Sequence, residues 1–209
     1  MSSSATFLDP VVVPLIIGET VLDVGCGYGR WGGLVRSNFW EAGLATPPFV
    51  DGLDAFEPNV SLCVSSGNYR RVWLQQLPGP IDGRWDTVLA SEIIEHMEQR
   101  DVPAVLDALE GAANRRVIIT TPNFPYYRGG SETIVGFNEF EAHHAYVSQH
   151  DLVRRGYHVT GAGFCNPRSW LFRGLRKLRV PGRQGLDSLP RAFPSLGHTT
   201  VAWKDFHEK

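Results

Sequence analysis

Apolar and polar positions along the chain switch repeatedly between two periods. Short runs rich in Val, Ile, Leu and Thr predict buried strands at Thr20–Gly25, Phe49–Phe56, Arg70–Leu77, Trp85–Ser91 and Arg116–Asn123, with two more at Tyr157–Phe164 and His198–Asp205. Between them, helical spacing predicts a helix from about Arg30 to Phe39 and another carrying Val102, Val105, Leu106 and Leu109. Pro58 suits the first turn of a further helix, where its missing N–H does no harm. Strands alternating with helices predict an α/β sheet.

Two stretches interrupt this alternation. Pro125–Tyr146 is rich in Gly, aromatic residues and His. Asn166–Ser195 carries Arg168, Arg173, Arg176, Lys177, Arg179, Arg183 and Arg191 against one acid, Asp187. Loops of this length inside one domain are usually lids or binding elements. The organisation expected is therefore one domain over residues 1–209, with substrate-side insertions at about 125–146 and 166–195.

Composition adds boundaries. A chain of 209 residues, 43% hydrophobic and 20% charged, matches a single globular domain with a sizeable core. A net charge of -2 argues against coating nucleic acid by charge alone. Cys26, Cys63 and Cys165 show no metal-finger spacing and are expected as free thiols. The N-terminal MSSSATFLDP lacks the basic and apolar regions of a secretory signal, and the apolar run Val11–Ile17 is too short to span a bilayer. A cytoplasmic protein without membrane contact is the expectation.

The candidate chemistry begins at Gly25-Cys26-Gly27-Tyr28-Gly29, after a predicted strand and before a predicted helix. Glycine permits a tight turn and close approach of a ligand, and a helix N-terminus offers free N–H groups. Asp54, near the end of the next strand, has two readings. It can accept hydrogen bonds from the ribose hydroxyls of a nucleoside, or it can cap the following helix. Asp51 and Glu57 compete for the ribose role.

VLDVGCGYG resembles the first motif of class I S-adenosylmethionine-dependent methyltransferases, with Asp23 two residues before the first glycine. GLDAFEP, WDTVLASEIIEHM, VIITTPN and the closing pair GYHVTGAGF and HTTVAWKD resemble further family segments. A dinucleotide dehydrogenase would normally show G-x-G-x-x-G, whereas Arg30 stands at the third glycine position. The resemblance implies a Rossmann-like fold, a seven-stranded, mostly parallel sheet with the last strand antiparallel. It implies S-adenosylmethionine as cofactor, contacted by Asp23, Gly25, Cys26, Gly27, Asp54, Ala55 and Ser91. Many members carry an acid after the third strand that contacts adenine; here that region is Gln75-Gln76-Leu77.

SEIIEHM follows the fourth strand. If it is helical, Glu92, Glu95 and His96 share one face at i, i+3 and i+4. Two carboxylates and an imidazole can hold a divalent cation, given a fourth ligand at His143 or His144. This arrangement resembles small-RNA terminal 2′-O-methyltransferases and ubiquinone-pathway O-methyltransferases. That resemblance implies Mg or Mn held by Glu92, Glu95, His96 and His143. A metal-free pocket role for Glu95 and His96, or structural capping, is the alternative.

Methyl transfer to oxygen needs a proton removed, and His143 and His96 are the candidate catalytic groups. The expected function is O-methylation of a small-molecule acceptor. Two alternatives stand beside it: metal-assisted 2′-O-methylation of an RNA end, and a catalytically silent binding subunit built on the same fold.

Overall fold

The computed structural model describes residues 4–164 and 189–206. Cys165 and the basic side chains from Arg168 to Arg183 lie outside the described residues.

The elements follow the chain in this order: α1 (Asp9–Val12), β1 (Thr20–Val24), α2 (Arg30–Ser37), β2 (Phe49–Asp54), α3 (Glu57–Ser66), β3 (Arg71–Leu74) and β4 (Trp85–Ser91). Then come α4 (Val102–Ala112), β5 (Ala113–Pro122), β6 (Ser131–Thr133), β7 (Gly136–Asn138), α5 (Gln149–Arg154), β8 (His158–Phe164), α6 (Leu189–Ala192) and β9 (Gly197–Asp205). Seven strands form one sheet in the order β3-β2-β1-β4-β5-β9-β8. β1 to β5 pair in parallel, and β9 runs antiparallel to both β5 and β8. This is the expected sheet, with the last strand inserted antiparallel before β8.

The central strands carry apolar runs such as Val88–Ala90 and Val117–Ile119 because both of their faces are covered there. Side chains alternate between those faces. Val88 and Ile119 therefore pack with Val105 and Leu109 of α4, while neighbouring Leu89 and Ile118 pack with Leu8, Val12, Trp31 and Val35 on the other side. Each set lies within 5% of complete burial. Truncating one such Ile or Leu to Ala costs about 2–5 kcal/mol.

The strand order reverses between β1 and β4. In open α/β sheets a crevice opens at the carboxyl ends of the strands where this happens. Among the described residues no helix is long and apolar enough to cross a membrane.

Two local expectations fail. SEIIEHM is not an α-helix; only Ile94–His96 forms a single 3-10 turn, and Glu92 has φ 58°. The Glu92 N–H still donates to Thr120 O at 2.9 Å, so the chain keeps pairing with β5 and cannot start a helical turn there. The second concerns 125–146, which is not only loop. It contains the β6–β7 hairpin, a 3-10 turn at Glu139–Glu141 and a bridge between Arg128 and His143.

Candidate active site

A cleft of about 320 Å³ lies at the carboxyl ends of β1, β2 and β4. One wall is formed by Gly25, Cys26, Gly27, Arg30, Asp54, Ala55 and Asn59, continuing through Gln75–Pro78. The other is formed by Ser91, Glu92, Ile93, His96 and Met97, with Asn138–Glu141 and His144 from the strap at 125–146.

The glycine turn takes its shape from backbone conformations that side chains resist. Gly25, Gly27 and Gly29 have φ of 69°, 53° and 76°. The N–H groups of Gly25 and Cys26 donate to Leu53 O, which fastens the turn to β2. A Cβ on Gly25 would stand 1.9 Å from Ile93 Cδ1, so the turn and the chain after β4 are in contact across the cleft.

Asp54 lines the cleft but does not cap α3, whose N-cap residue is Phe56. Its carboxylate accepts from Gly27 N at 2.8 Å, Phe56 N at 2.9 Å and Asn59 Nδ2 at 3.3 Å. It therefore braces the turn and the start of α3 while lining the cleft. Burial raises the Asp54 carboxyl above the ordinary carboxylate value, and the amides of Phe56 and Gly27 oppose that. A carboxylate has about four lone-pair directions, so the oxygen facing Gly27 retains capacity for a hydroxyl.

Asp23, expected to contact the cofactor, does not line the cleft. It is buried beneath the turn, where the Tyr69 hydroxyl donates to it at 2.6 Å. Burial pushes its carboxyl up to about 7 against that hydrogen bond. The same hydroxyl accepts from Gly32 N at 3.1 Å. Tyr69 thus ties β1 to α2, a link with no sequence signal beyond the glycines its ring packs over: a Cβ on Gly32 would meet that ring at 2.4 Å.

On the opposite wall the four metal candidates separate. Donor atoms of Glu95, His96 and His143 lie within 4.8 Å of one another, and Glu92 falls outside that group. The turn geometry explains this. Glu92 is held at the end of β4, where it accepts from Thr120 Oγ1 at 3.0 Å, whereas Glu95 accepts from Thr121 Oγ1 at 3.2 Å. His96 and His143 meet edge to face with ring centroids 4.7 Å apart. His96 Nδ1 bonds the Ala142 carbonyl at 3.0 Å, which leaves Nε2 free of that bond. The His143 ring bonds the Tyr126 main chain, and its Nδ1 is buried without a partner. His144 instead turns to the cleft mouth, half exposed, with Nδ1 3.9 Å from Glu98.

Burial sets the charge state of this wall. It pushes Glu92 up to about 7 and Glu95 well above the usual carboxylate range. It pushes His96 and His143 down to about 4, helped at His143 by the Arg128 charge. His143 itself does not line the cleft, because its ring stands behind His96 and beside Tyr126.

The sheet order, the antiparallel β9 and the glycine turn together define the class I methyltransferase fold. Solved structures with this fold are similar over nearly the whole chain. Magnesium protoporphyrin IX methyltransferase (ChlM) from Synechocystis PCC 6803, solved with bound SAH, matches with a TM-score of 0.57 at 17% identity, over 95% of this chain and 82% of that one. A SAM-dependent methyltransferase from Archaeoglobus fulgidus matches with a TM-score of 0.58 at 17% identity, over 95% of this chain and 91% of that one. The plantazolicin methyltransferase BamL, in complex with a triazolic desmethylPZN analog and SAH, matches with a TM-score of 0.56 at 12% identity, over 96% and 85%. No protein-family profile and no curated protein sequence matches the chain.

Proposed function

We propose that this chain is an S-adenosylmethionine-dependent methyltransferase acting on an oxygen of a small-molecule acceptor. The observation that carries the reading is the cleft itself. It joins a glycine turn and a ribose-competent Asp54 on one wall to a wall of acid and imidazole groups on the other. Structures of similar fold hold SAM or SAH; one is a magnesium protoporphyrin IX methyltransferase, and another holds a triazolic desmethylPZN analog beside SAH.

When bound, the cofactor supplies an activated methyl group on sulfur. The chain's own part is to position and to move a proton. Gly25–Gly27 and Ala55 accommodate the donor by close backbone approach, and Asp54 orients the ribose. Ser91 and Glu92 close the far side. Glu92, whose carboxyl burial pushes up to about 7, accepts the hydroxyl proton, and His96 lines the same wall of the cleft.

A divalent cation is favoured by one observation, the buried His143 Nδ1 that has no partner. Glu95, His96 and His143 supply one carboxylate oxygen and two imidazole nitrogens, with both rings oriented by main-chain contacts. That donor set suits Mn or Zn better than Mg. When bound, such an ion would polarise an acceptor oxygen. The RNA-end alternative would need a partner or the basic stretch at 168–191, of which 168–188 lies outside the described residues.

Calorimetric titration with S-adenosylhomocysteine tests the core of the proposal. Micromolar binding is expected; no binding at millimolar ligand would leave the silent-scaffold reading in its place.

A further inference from the structure

The β6–β7 hairpin bridges the two walls of the cleft. Its base belongs to the wall that carries Glu92 and His96: Asn138 and the turn that follows it, Glu139–Glu141, line the cleft. Its tip reaches the opposite wall. Ile134 N donates to the Tyr28 hydroxyl at 3.1 Å, and Tyr28 stands between Gly27 and Gly29 in the glycine turn. The three steps of strand from Asn138 to Val135 cover about 10 Å.

Little of the hairpin's own structure holds it in this place. It has three paired positions, Ser131 with Asn138, Glu132 with Phe137 and Thr133 with Gly136. A two-stranded hairpin is marginal by itself in water. Packing adds little near the tip, where Ile134 is 76% exposed and Phe137 58%. The tip is closed on itself by Thr133 Oγ1, which donates to Gly136 O at 2.6 Å, so it can swing as one piece. A hinge lies at its foot. Two residues, Gly129 and Gly130, separate the bridge at Arg128 from the start of β6. A Cβ on Gly130 would meet Asn138 O at 2.7 Å, inside the hairpin, whereas one on Gly129 would meet nothing within 4 Å. Small residues at such a position suit a hinge. Behind it His143 N holds Arg128 O at 2.9 Å, so a swing about Gly129 leaves the imidazole pair in place.

We infer that the hairpin is a flap across the cleft and that the Tyr28 hydroxyl is its latch. What passes beneath the flap rests on the methyl-donor reading of the cleft. Neither Tyr28 nor Ile134 lines the cleft, so the latch acts on the flap and not on the ligand. Tyr28 is therefore a positioning residue. Its hydroxyl governs how fast a donor enters and leaves, and has little effect on how tightly the donor is held, because the same bond closes the flap before and after binding.

Tyr28→Phe keeps the ring and removes the hydroxyl. In stopped-flow binding of S-adenosylhomocysteine, association and dissociation rates are both expected to rise about threefold to tenfold, the range for one hydrogen bond, with Kd within about twofold. A double-mutant cycle separates the latch from direct contact with the ligand. With residues 132–137 replaced by two glycines, the same substitution should change neither rate. An effect that survives in the shortened chain, a loss of affinity through dissociation alone, or unchanged rates in Tyr28→Phe would overturn the latch. Hydrogen exchange without ligand reads the flap independently of the donor. Amides of residues 131–138 should exchange about threefold to tenfold faster in Tyr28→Phe, and equal exchange in the two proteins would also overturn it. If the wild-type protein binds no S-adenosylhomocysteine while exchange changes as expected, the methyl-donor reading fails and the latch stands.

Discussion

The two walls of the cleft are built by different means. The donor wall is made at the ends of adjacent parallel strands, and its key contacts run through main-chain amides: Gly25 and Cys26 to Leu53, and Gly27 to Asp54. The acceptor wall is assembled from segments far apart in sequence. Glu92 and Glu95 reach back to Thr120 and Thr121, and His96 meets the strap at Ala142. The first wall is fixed by backbone geometry, with the raised carboxyls of Asp54 within it and Asp23 beneath it as its titratable groups. The second consists of acids driven up and imidazoles driven down by burial, so its charge depends on pH and on any bound cation.

The largest break in this contrast should come from Asp54→Ala. It removes both a brace of the glycine turn and the ribose acceptor, and affinity for S-adenosylhomocysteine should fall by about a hundredfold or more. Retained affinity in calorimetry would mean that the donor wall is not where the nucleoside sits. On the acceptor wall, His143→Ala should weaken Mn or Zn binding by about tenfold or more while donor affinity stays within about twofold. A wild-type protein that takes up no ion in dialysis with metal analysis would confine this wall to proton chemistry.

The last effect concerns pH, and bears on stability rather than affinity. Glu92 has its folded-state pKa raised from 4.5 to about 7, so the native protein holds that proton more tightly than the unfolded chain does. Its contribution to stability is intact below about pH 4.5 and is lost as pH rises towards 7. His96 and His143 act in the opposite sense: lowered from 6.5 to about 4, they favour the fold above pH 6.5 and withdraw that support as pH falls. Glu92→Gln should therefore gain stability relative to wild type as pH rises from 5 to 8, by about 2–3 kcal/mol at most. Thermal midpoints of the two proteins at both pH values give the comparison; a constant offset would show that Glu92 is not titrating in that window.

The donor side was legible because its geometry is local. A turn needing three left-handed residues requires glycines, and a strand ending in Asp54 places that acid beside them. The parallel strands announced themselves through apolar runs such as Val88–Ala90 and Val117–Ile119, buried on both faces. The acceptor side was legible only as a set of residue types. SEIIEHM has helical spacing, but its pairing with β5 is non-local and leaves no mark in that spacing. One hydrogen bond from Glu92 N to Thr120 O, between residues distant in sequence, cancels that helix and moves Glu92 away from Glu95. Asp23 was misplaced for a similar reason: its partner, Tyr69, comes from the segment before β3, and no local pattern connects the two.

The strap is pinned near its ends. His143 N donates to Arg128 O at 2.9 Å, and His144 and Ala145 both donate to Glu95 O at 2.8 and 3.0 Å. Between these pins, residues 129–141 form a closed loop that leans on the donor wall through Ile134 N to the Tyr28 hydroxyl. Lengthening a loop whose ends are already clamped is thermodynamically cheap, about 0.6 kcal/mol per doubling. Insertions at the exposed hairpin tip can therefore be accommodated without unpinning His143 and His144. The part of the cleft that would choose an acceptor can thus change in length without rebuilding the part that would hold the donor.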